Sequence, residues 1–329
     1  MSEKLLKVKN LQISFKKKKD IIPVVEGVDF SMQQGEIVGI VGESGCGKSV
    51  SALSLLKLNA PNTVYGEESQ VLFQGKDIFK MKTKELQSVR GKDISVIFQD
   101  SLTGLDPVMT LGDIMSEAIR SHRKISKKQA LEESIEMLGK VGIPDPQARI
   151  KEYAHQLSGG MRQRVMIGLA MLHQSKLLIA DEPTTALDVT IQAHILQLIK
   201  SMRDENGMSV ILITHDMGVV AEMTDRIYVM YSGRVVEQAS TKDIFESPLH
   251  PYTKGLLASI PRLNQKDDEK LYTIPGTVPL PGSIKQGCRF CNRCSECTQK
   301  CREQEPPFFE FDQHKVKCWK YENTQEVYI

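Results

Sequence analysis

The chain has 329 residues, of which 40% are hydrophobic and 26% charged, and its formal net charge is +2. That length is too great for one small domain and points to one large domain with an appendage. The near-neutral balance excludes any general electrostatic bias toward nucleic acid or lipid.

No stretch approaches the ~18 uninterrupted apolar residues of a membrane-spanning helix. The opening MSEKLLKVKN lacks the apolar segment of a secretory signal. A cytosolic location with reduced thiols is therefore expected, and clustered cysteines there point to metal more than to disulfides.

In chain order, β-branched runs at residues 5–15, 36–41, 93–98, 177–180, 209–214 and 226–230 predict strands. Several are continuous apolar segments of the buried, parallel kind. The lysine run at residues 16–19 reads as a solvated loop or hairpin tip. Residues 127–141 place Ala130, Ile135, Leu138 and Val141 at helical spacing, and residues 189–202 do the same with Ile191, Ile195, Leu198 and Ile199. Residues 102–174 read as almost wholly helical, as if a helical subdomain were inserted between two strands. Past Gly255, Pro261, Pro275, Gly276, Pro279, Pro281 and Gly282 break any long element. Alternating strands and helices of this kind define an α/β fold with a parallel-sheet core.

Residues 42–49 read GESGCGKS, a complete G-x-x-x-x-G-K-S loop directly after an apolar strand. Gly42, Glu43, Ser44, Gly45, Cys46 and Gly47 form a turn whose backbone N–H groups face phosphate oxygens, and the next helix adds its positive end. Lys48 is expected to reach the β- and γ-phosphates, and the Ser49 hydroxyl to ligate Mg²⁺. Cys46 sits at a permissive position, with filler favoured over a redox role. Residues 177–182, LLIADE, are an apolar strand ending in two carboxylates. Asp181 is placed to hold Mg²⁺ and Glu182 to orient the attacking water. The alternative for both is capping of the next helix.

Residues 157–164 read LSGGMRQR, in which Ser158, Gly159 and Gly160 open a helix and form a second anion-binding N-terminus. One nucleotide does not need two such cradles from one subunit; two subunits that sandwich ATP do. Over about residues 5–250 the chain resembles the nucleotide-binding subunits of ABC (ATP-binding cassette) transporters.

That resemblance implies a P-loop NTPase cassette with a parallel-sheet core, an antiparallel β subdomain and an inserted helical subdomain. It also implies further roles. Phe15 would stack on adenine, although alone it reads as core. Gln99 would contact Mg²⁺ and the water, Asp188 would link the two sites, and His215 would contact the γ-phosphate. Residues 246–263, ESPLHPYTKGLLASIPRL, resemble the extension of oligopeptide/dipeptide and nickel importer ATPases. Pro248, His250, Pro251, Tyr252 and Thr253 carry the match but, as an ordinary helix start with Pro251 in its first turn, suggest no chemistry. The division expected is a cassette at 1–250 and an extension at 251–329.

Five of seven cysteines fall between residues 288 and 301, spaced Cys288-x₂-Cys291-x₂-Cys294-x₂-Cys297-x₃-Cys301, and Cys318 follows. Such spacing can converge on one soft metal centre. The family pattern C-x₅-C-x₆-C-x₁₆-C selects Cys288, Cys294, Cys301 and Cys318 and implies a [4Fe–4S] cluster. Zn²⁺ on four thiolates and a ferredoxin-like set, Cys291, Cys294, Cys297 and Cys301, stand as alternatives. The centre is expected to staple a tail too small to build its own core.

The resemblance implies an ATPase that powers import of oligopeptides or dipeptides from the cytoplasmic face of the membrane. Its expected partners are a second ATPase subunit (a paralogue by the family's habit), two transmembrane permeases and an extracytoplasmic peptide-binding protein, with no nucleic acid. Alternatives are a nickel-chelate or oligosaccharide importer, or a soluble ABC ATPase acting on ribosomes or DNA. The soluble type that carries iron–sulfur clusters has them N-terminally and has two cassettes per chain.

Overall fold

The computed structural model describes residues 4–99, 104–185, 187–260 and 272–327. It divides into two compact units, one built from Met1–Met32, Ile37–Lys80 and Thr214–Ile329, the other from Gln33–Glu36 and Met81–Ile213.

In the first unit the long strand Lys4–Lys17 turns at Lys18 and Lys19 into the strand Asp20–Gln33. Lys18 has φ +56° and both tip lysines are exposed, so the lysine run marks a solvated turn. On its other side Lys4–Lys17 pairs antiparallel with Gln70–Phe73, Leu6 opposite Phe73, and Thr63–Tyr65 pairs with its far end. Apolar and polar residues alternate along it, so one face is buried and the other solvated.

A second sheet in the same unit runs Ile37–Val41, Arg226–Tyr231, Arg234–Ser240, His314–Val316, Phe309–Phe311. The first pair is parallel, with Val38 opposite Arg226, and the rest are antiparallel. IVGIV is buried at all five positions, which is why it reads as unbroken apolar sequence. Gly233 makes the turn between Arg226–Tyr231 and Arg234–Ser240. It has φ +77°, and a Cβ there would lie 2.3 Å from Val24 O.

The hairpin from Phe309 to Val316 was not legible as strand in the sequence, yet it extends this sheet through Glu237 opposite Val316. The extension also contributes Tyr252 and Phe290 to the core cluster that holds Val41, Ile227, Val229 and Tyr231. The tail is thus joined to the sheet by backbone pairing and to the core by aromatic packing.

In the second unit Ile94–Ile97, Leu177–Asp181 and Ser209–Ile213 form a parallel array, with Ile94 opposite Leu177 and Leu177 opposite Ser209. The latter two are buried along their whole length. Between the first two strands come the helices Leu111–His122, Lys127–Lys140 and Gly159–Met171. Ser126 and Gln129 form a capping box at the start of Lys127–Lys140, which fixes where that helix begins. Val189–Asn206 starts at an Asp188 cap and stops at Gly207, φ +65°. Among the described residues no helix is long and apolar enough to cross a membrane.

Candidate functional site

The first unit carries the glycine loop. Gly42 has φ +149°, and a Cβ would lie 2.2 Å from Met230 O and 2.9 Å from Cys46 Sγ, so no other residue fits. Gly45 and Gly47 also have positive φ, and Gly47 leads into the helix Lys48–Ser54. Lys48 is buried to 7% exposure; its Nζ donates to Gly42 O at 2.7 Å and to Glu43 O at 3.0 Å. Ser44 and Gly45 are exposed at the loop's crest and Ser49 is half-buried. Burial pushes the Cys46 thiol up, only partly offset by Lys48, so it is a poor nucleophile and fills space.

His215 is exposed and shares a cavity of about 390 Å³ with Gly42, Glu43, Thr214 and Asp216. Asp216 accepts from the N–H groups of Gly218 and Val219, fixing the helix that follows His215. Phe15 is half-buried on the strand Lys4–Lys17, opposite Thr63, and is no part of the fully buried core.

The second unit carries the carboxylates. Asp181 ends its strand at 3% exposure. Glu182 follows with φ +47°, a left-handed conformation that costs a non-glycine residue about 1–3 kcal/mol. Its N–H donates to Ile213 O at 2.8 Å, anchoring the turn to the neighbouring strand. Its Oε2 accepts from Gln99 Nε2 at 3.0 Å and from Thr185 Oγ1 at 3.1 Å. Gln99 and Glu182, distant in sequence, are thus brought together. Their hydrogen bond, with that from Thr185, aims the carboxylate.

In the same unit Ser158 accepts from Met161 N–H and caps the helix Gly159–Met171. A Cβ on Gly159 would meet nothing within 4 Å, so packing within the chain does not require glycine there. Gln163 Nε2 donates to Pro183 O at 2.8 Å and ties this helix to the residue after Glu182. Gly160 is half-buried beside it. Asp188 accepts from Ile191 N–H at 3.0 Å, so the aspartate expected to link two sites serves here as a helix cap.

The thiols gather in the first unit. Cys288, Cys291, Cys294, Cys297, Cys301 and Cys318 all line one cavity of about 380 Å³, together with Phe290 and Trp319. Successive N–H groups curl the backbone: Cys291 to Cys288 O, Cys294 to Cys291 O, Cys297 to Cys294 O. Gly287 has φ +78°, and a Cβ would lie 2.6 Å from Cys301 O, so only glycine lets the two cysteine-bearing segments approach. Burial pushes the Cys288 thiol up to about 11, and burial also raises Cys294 and Cys318.

Cys291 and Cys297 are paired as a disulfide with Cα atoms 5.4 Å apart. That pairing occupies two members of the ferredoxin-like set. Among the described residues no group of three or more His, Cys, Asp or Glu is arranged to hold a metal ion, and the metal-bound extension is not supported.

Sequence reasoning missed Tyr252 and Arg293. Glu43 N–H donates to Tyr252 Oη at 2.7 Å, and Arg293 pairs with the Glu43 carboxylate. The P-x-H-P-Y-T stretch marked Tyr252 without giving it work, and nothing local in the sequence marks Arg293.

Against known proteins, a family model described as ABC transporter matches residues 25–185, and one described as Oligopeptide/dipeptide transporter, C-terminal region, matches residues 236–301. The chain is 48% identical over 325 residues to the Dipeptide transport ATP-binding protein DppD of Bacillus subtilis (strain 168), spanning 98% of this chain and 97% of that one. It is 48% identical over 317 residues to the Oligopeptide transport ATP-binding protein OppD of the same organism, spanning 96% and 88%. Among solved structures, a dimeric post-hydrolysis state of the ATP-binding cassette MJ0796 bound to ADP and Pi matches with TM-score 0.65 and 27% identity, over 72% of this chain and 98% of that one. Both the nucleotide motifs and the extension after them are therefore shared with full-length relatives, and the chain belongs to the ABC transporter family, among the ATP-binding subunits of oligopeptide and dipeptide transporters.

Proposed function

We infer that the chain hydrolyses ATP to power import of oligopeptides or dipeptides through a membrane permease. The observation that carries the hydrolytic part is Glu182, fixed in a left-handed turn with its carboxylate held by Gln99 and Thr185. A carboxylate so oriented polarises a water for attack on a γ-phosphate. The peptide cargo rests on the extension and on the names of the relatives.

Each remaining residue takes a separate role. The N–H groups of residues 42–47 and the Lys48 amine hold phosphate oxygens. Ser49 and Asp181, with Gln99, hold Mg²⁺, which when bound neutralises phosphate charge. Phe15 gives the adenine a stacking face, and His215 contacts the γ-phosphate. Ser158, Gly159 and Gly160 present a helix N-terminus to the nucleotide of a second ATPase subunit. The open space around Gly159 supports that reading, as does the dimeric state of the MJ0796 cassette. Asp188 acts at the junction between the two nucleotides.

The four thiols Cys288, Cys294, Cys301 and Cys318 fit a [4Fe–4S] cluster. Support comes from the cavity they share, whose other two cysteines pair with each other, and from Gly287, whose missing Cβ lets their segments close up. Bound there, the cluster would cross-link the tail. The chain works as a cassette at residues 1–250 and an extension at 251–329. Its partners are a paralogous ATPase, two permeases and an extracytoplasmic peptide-binding protein, and it sits peripherally on the cytoplasmic face of the membrane.

Uptake by cells that carry the transporter, with and without an intact Glu182, tests this reading. Labelled di- to pentapeptides should enter only with the intact chain. Uptake of a nickel chelate or an oligosaccharide instead, with no peptide transport, would overturn the cargo.

A further inference from the structure

Glu43, the second residue of the glycine loop, is held at three points. Its N–H donates to Tyr252 Oη at 2.7 Å. Its carboxylate accepts a forked pair from Arg293, Nη1 to Oε2 at 2.6 Å and Nη2 to Oε1 at 3.0 Å. Its carbonyl accepts from Lys48 Nζ at 3.0 Å. The third contact lies within the loop; the first two come from the extension.

Both outside partners are themselves immobilised. Tyr252 is fully buried, its ring 4.6 Å from that of Tyr231 and 5.3 Å from that of Phe290. The Arg293 side chain is 4% exposed, and its other donors reach Pro275 O at 2.8 Å and Ile274 O at 3.2 Å. Its guanidinium lies over the rings of Tyr231 and Phe290. A planar fork with this many fixed donors has one orientation, which a lysine could not reproduce.

We propose that Tyr252 and Arg293 are positioning residues for the phosphate loop: the extension fixes the Glu43 peptide and carboxylate, and through the Glu43 carbonyl the Lys48 amine, and so sets ATP affinity. This rests on the reading that residues 42–49 bind ATP phosphates. Neither residue touches the reacting atoms, so both act before the chemical step.

The test uses the full chain, with affinity for a fluorescent ATP analogue and the KM and kcat of ATP hydrolysis as readouts. Arg293→Glu and Glu43→Arg should each weaken binding and raise KM roughly tenfold or more, as loss of a charged hydrogen-bonded pair implies. Combining them restores the pair with reversed sign and should regain most of the affinity. Tyr252→Phe removes one oxygen with little change in packing and should raise KM several-fold, with kcat at saturating ATP near wild type. Wild-type KM in Tyr252→Phe together with an unrescued double variant would overturn the proposal. So would a fall in kcat at unchanged KM. Lys48→Ala separates the two readings: if it binds ATP normally, the phosphate-loop assignment itself fails. If it loses ATP while the Glu43, Tyr252 and Arg293 variants keep wild-type affinity, only the positioning role fails.

Discussion

Gln99 Nε2 lies 3.0 Å from Glu182 Oε2, joining the end of one parallel strand to the residue after another. The bond ties the segment carrying Gln99 to the carboxylate. Glu182→Gln should keep ATP binding yet lower kcat by roughly 10²–10⁴-fold, the range for loss of a general base. Gln99→Ala removes one of the hydrogen bonds that aim the carboxylate and should lower kcat by a smaller factor. Steady-state ATPase assays check both, and near-normal turnover in Glu182→Gln would remove the assigned role.

Phe15 is half-buried, so its ring has a face to offer. Phe15→Ala should lose about 1–3 kcal/mol of base stacking, taking aromatic–base stacking in nucleic-acid complexes as the analogue. KM for ATP should rise roughly tenfold with kcat largely kept. A collapse of kcat at saturating ATP, with a lowered melting temperature, would make Phe15 a packing residue.

Protein made and purified without oxygen should be brown and carry about four iron and four sulfide per chain. Cys288→Ser, Cys294→Ser, Cys301→Ser and Cys318→Ser should each abolish the colour. Cys291→Ser and Cys297→Ser should retain it, because those two side chains pair with each other. Elemental analysis and absorption spectra decide the matter; a colourless preparation with one zinc per chain would replace iron by zinc.

Glu237 is fully buried and accepts from His314 Nε2 at 2.7 Å and from the N–H groups of Leu249 and His250. Burial pushes its carboxyl up, but the hydrogen bonds from His314 and those two N–H groups outweigh it and hold the carboxyl below its usual 4.5. The unfolded chain therefore takes up the proton first. The stabilisation is complete above about pH 4.5 and is lost as pH falls through the lower folded value. Burial pushes the neighbouring His250 ring down to about 4 from 6.5, which adds a loss of the same sign over that interval. Glu237→Gln should cost about 1–3 kcal/mol near neutral pH and flatten the fall below pH 4.5. Denaturant titrations at several pH values measure this; an unchanged acid slope in the variant would show that other groups cause it.

How much was readable in advance depended on the range over which residues cooperate. Residues 209–213, SVILI, are buried on both faces, so their local composition alone indicates a central parallel strand. The glycines of residues 42–47 were legible because the turn needs backbone angles that other residues rarely adopt. The strand Asp20–Gln33 was missed because Pro23 and Gly27 interrupt its pattern. The hairpin from Phe309 to Val316 was missed because two three-residue strands carry too few alternations to register. Arg293 was hidden for another reason. Its partner Glu43 lies 250 residues away, and only the folded chain brings the two together.

The late position of that hairpin also has a consequence during synthesis. Arg234–Ser240 cannot acquire its outer neighbour until the ribosome has passed Val316. At 5–20 residues per second the wait is roughly 4–16 s. Throughout it the nascent strand presents an unpaired edge, open to pairing with another chain. Glu237, meanwhile, lacks the imidazole that will share its burial. Fragments released by premature termination before His314 should thus fail to close this sheet and should be preferred targets for chaperones and proteases.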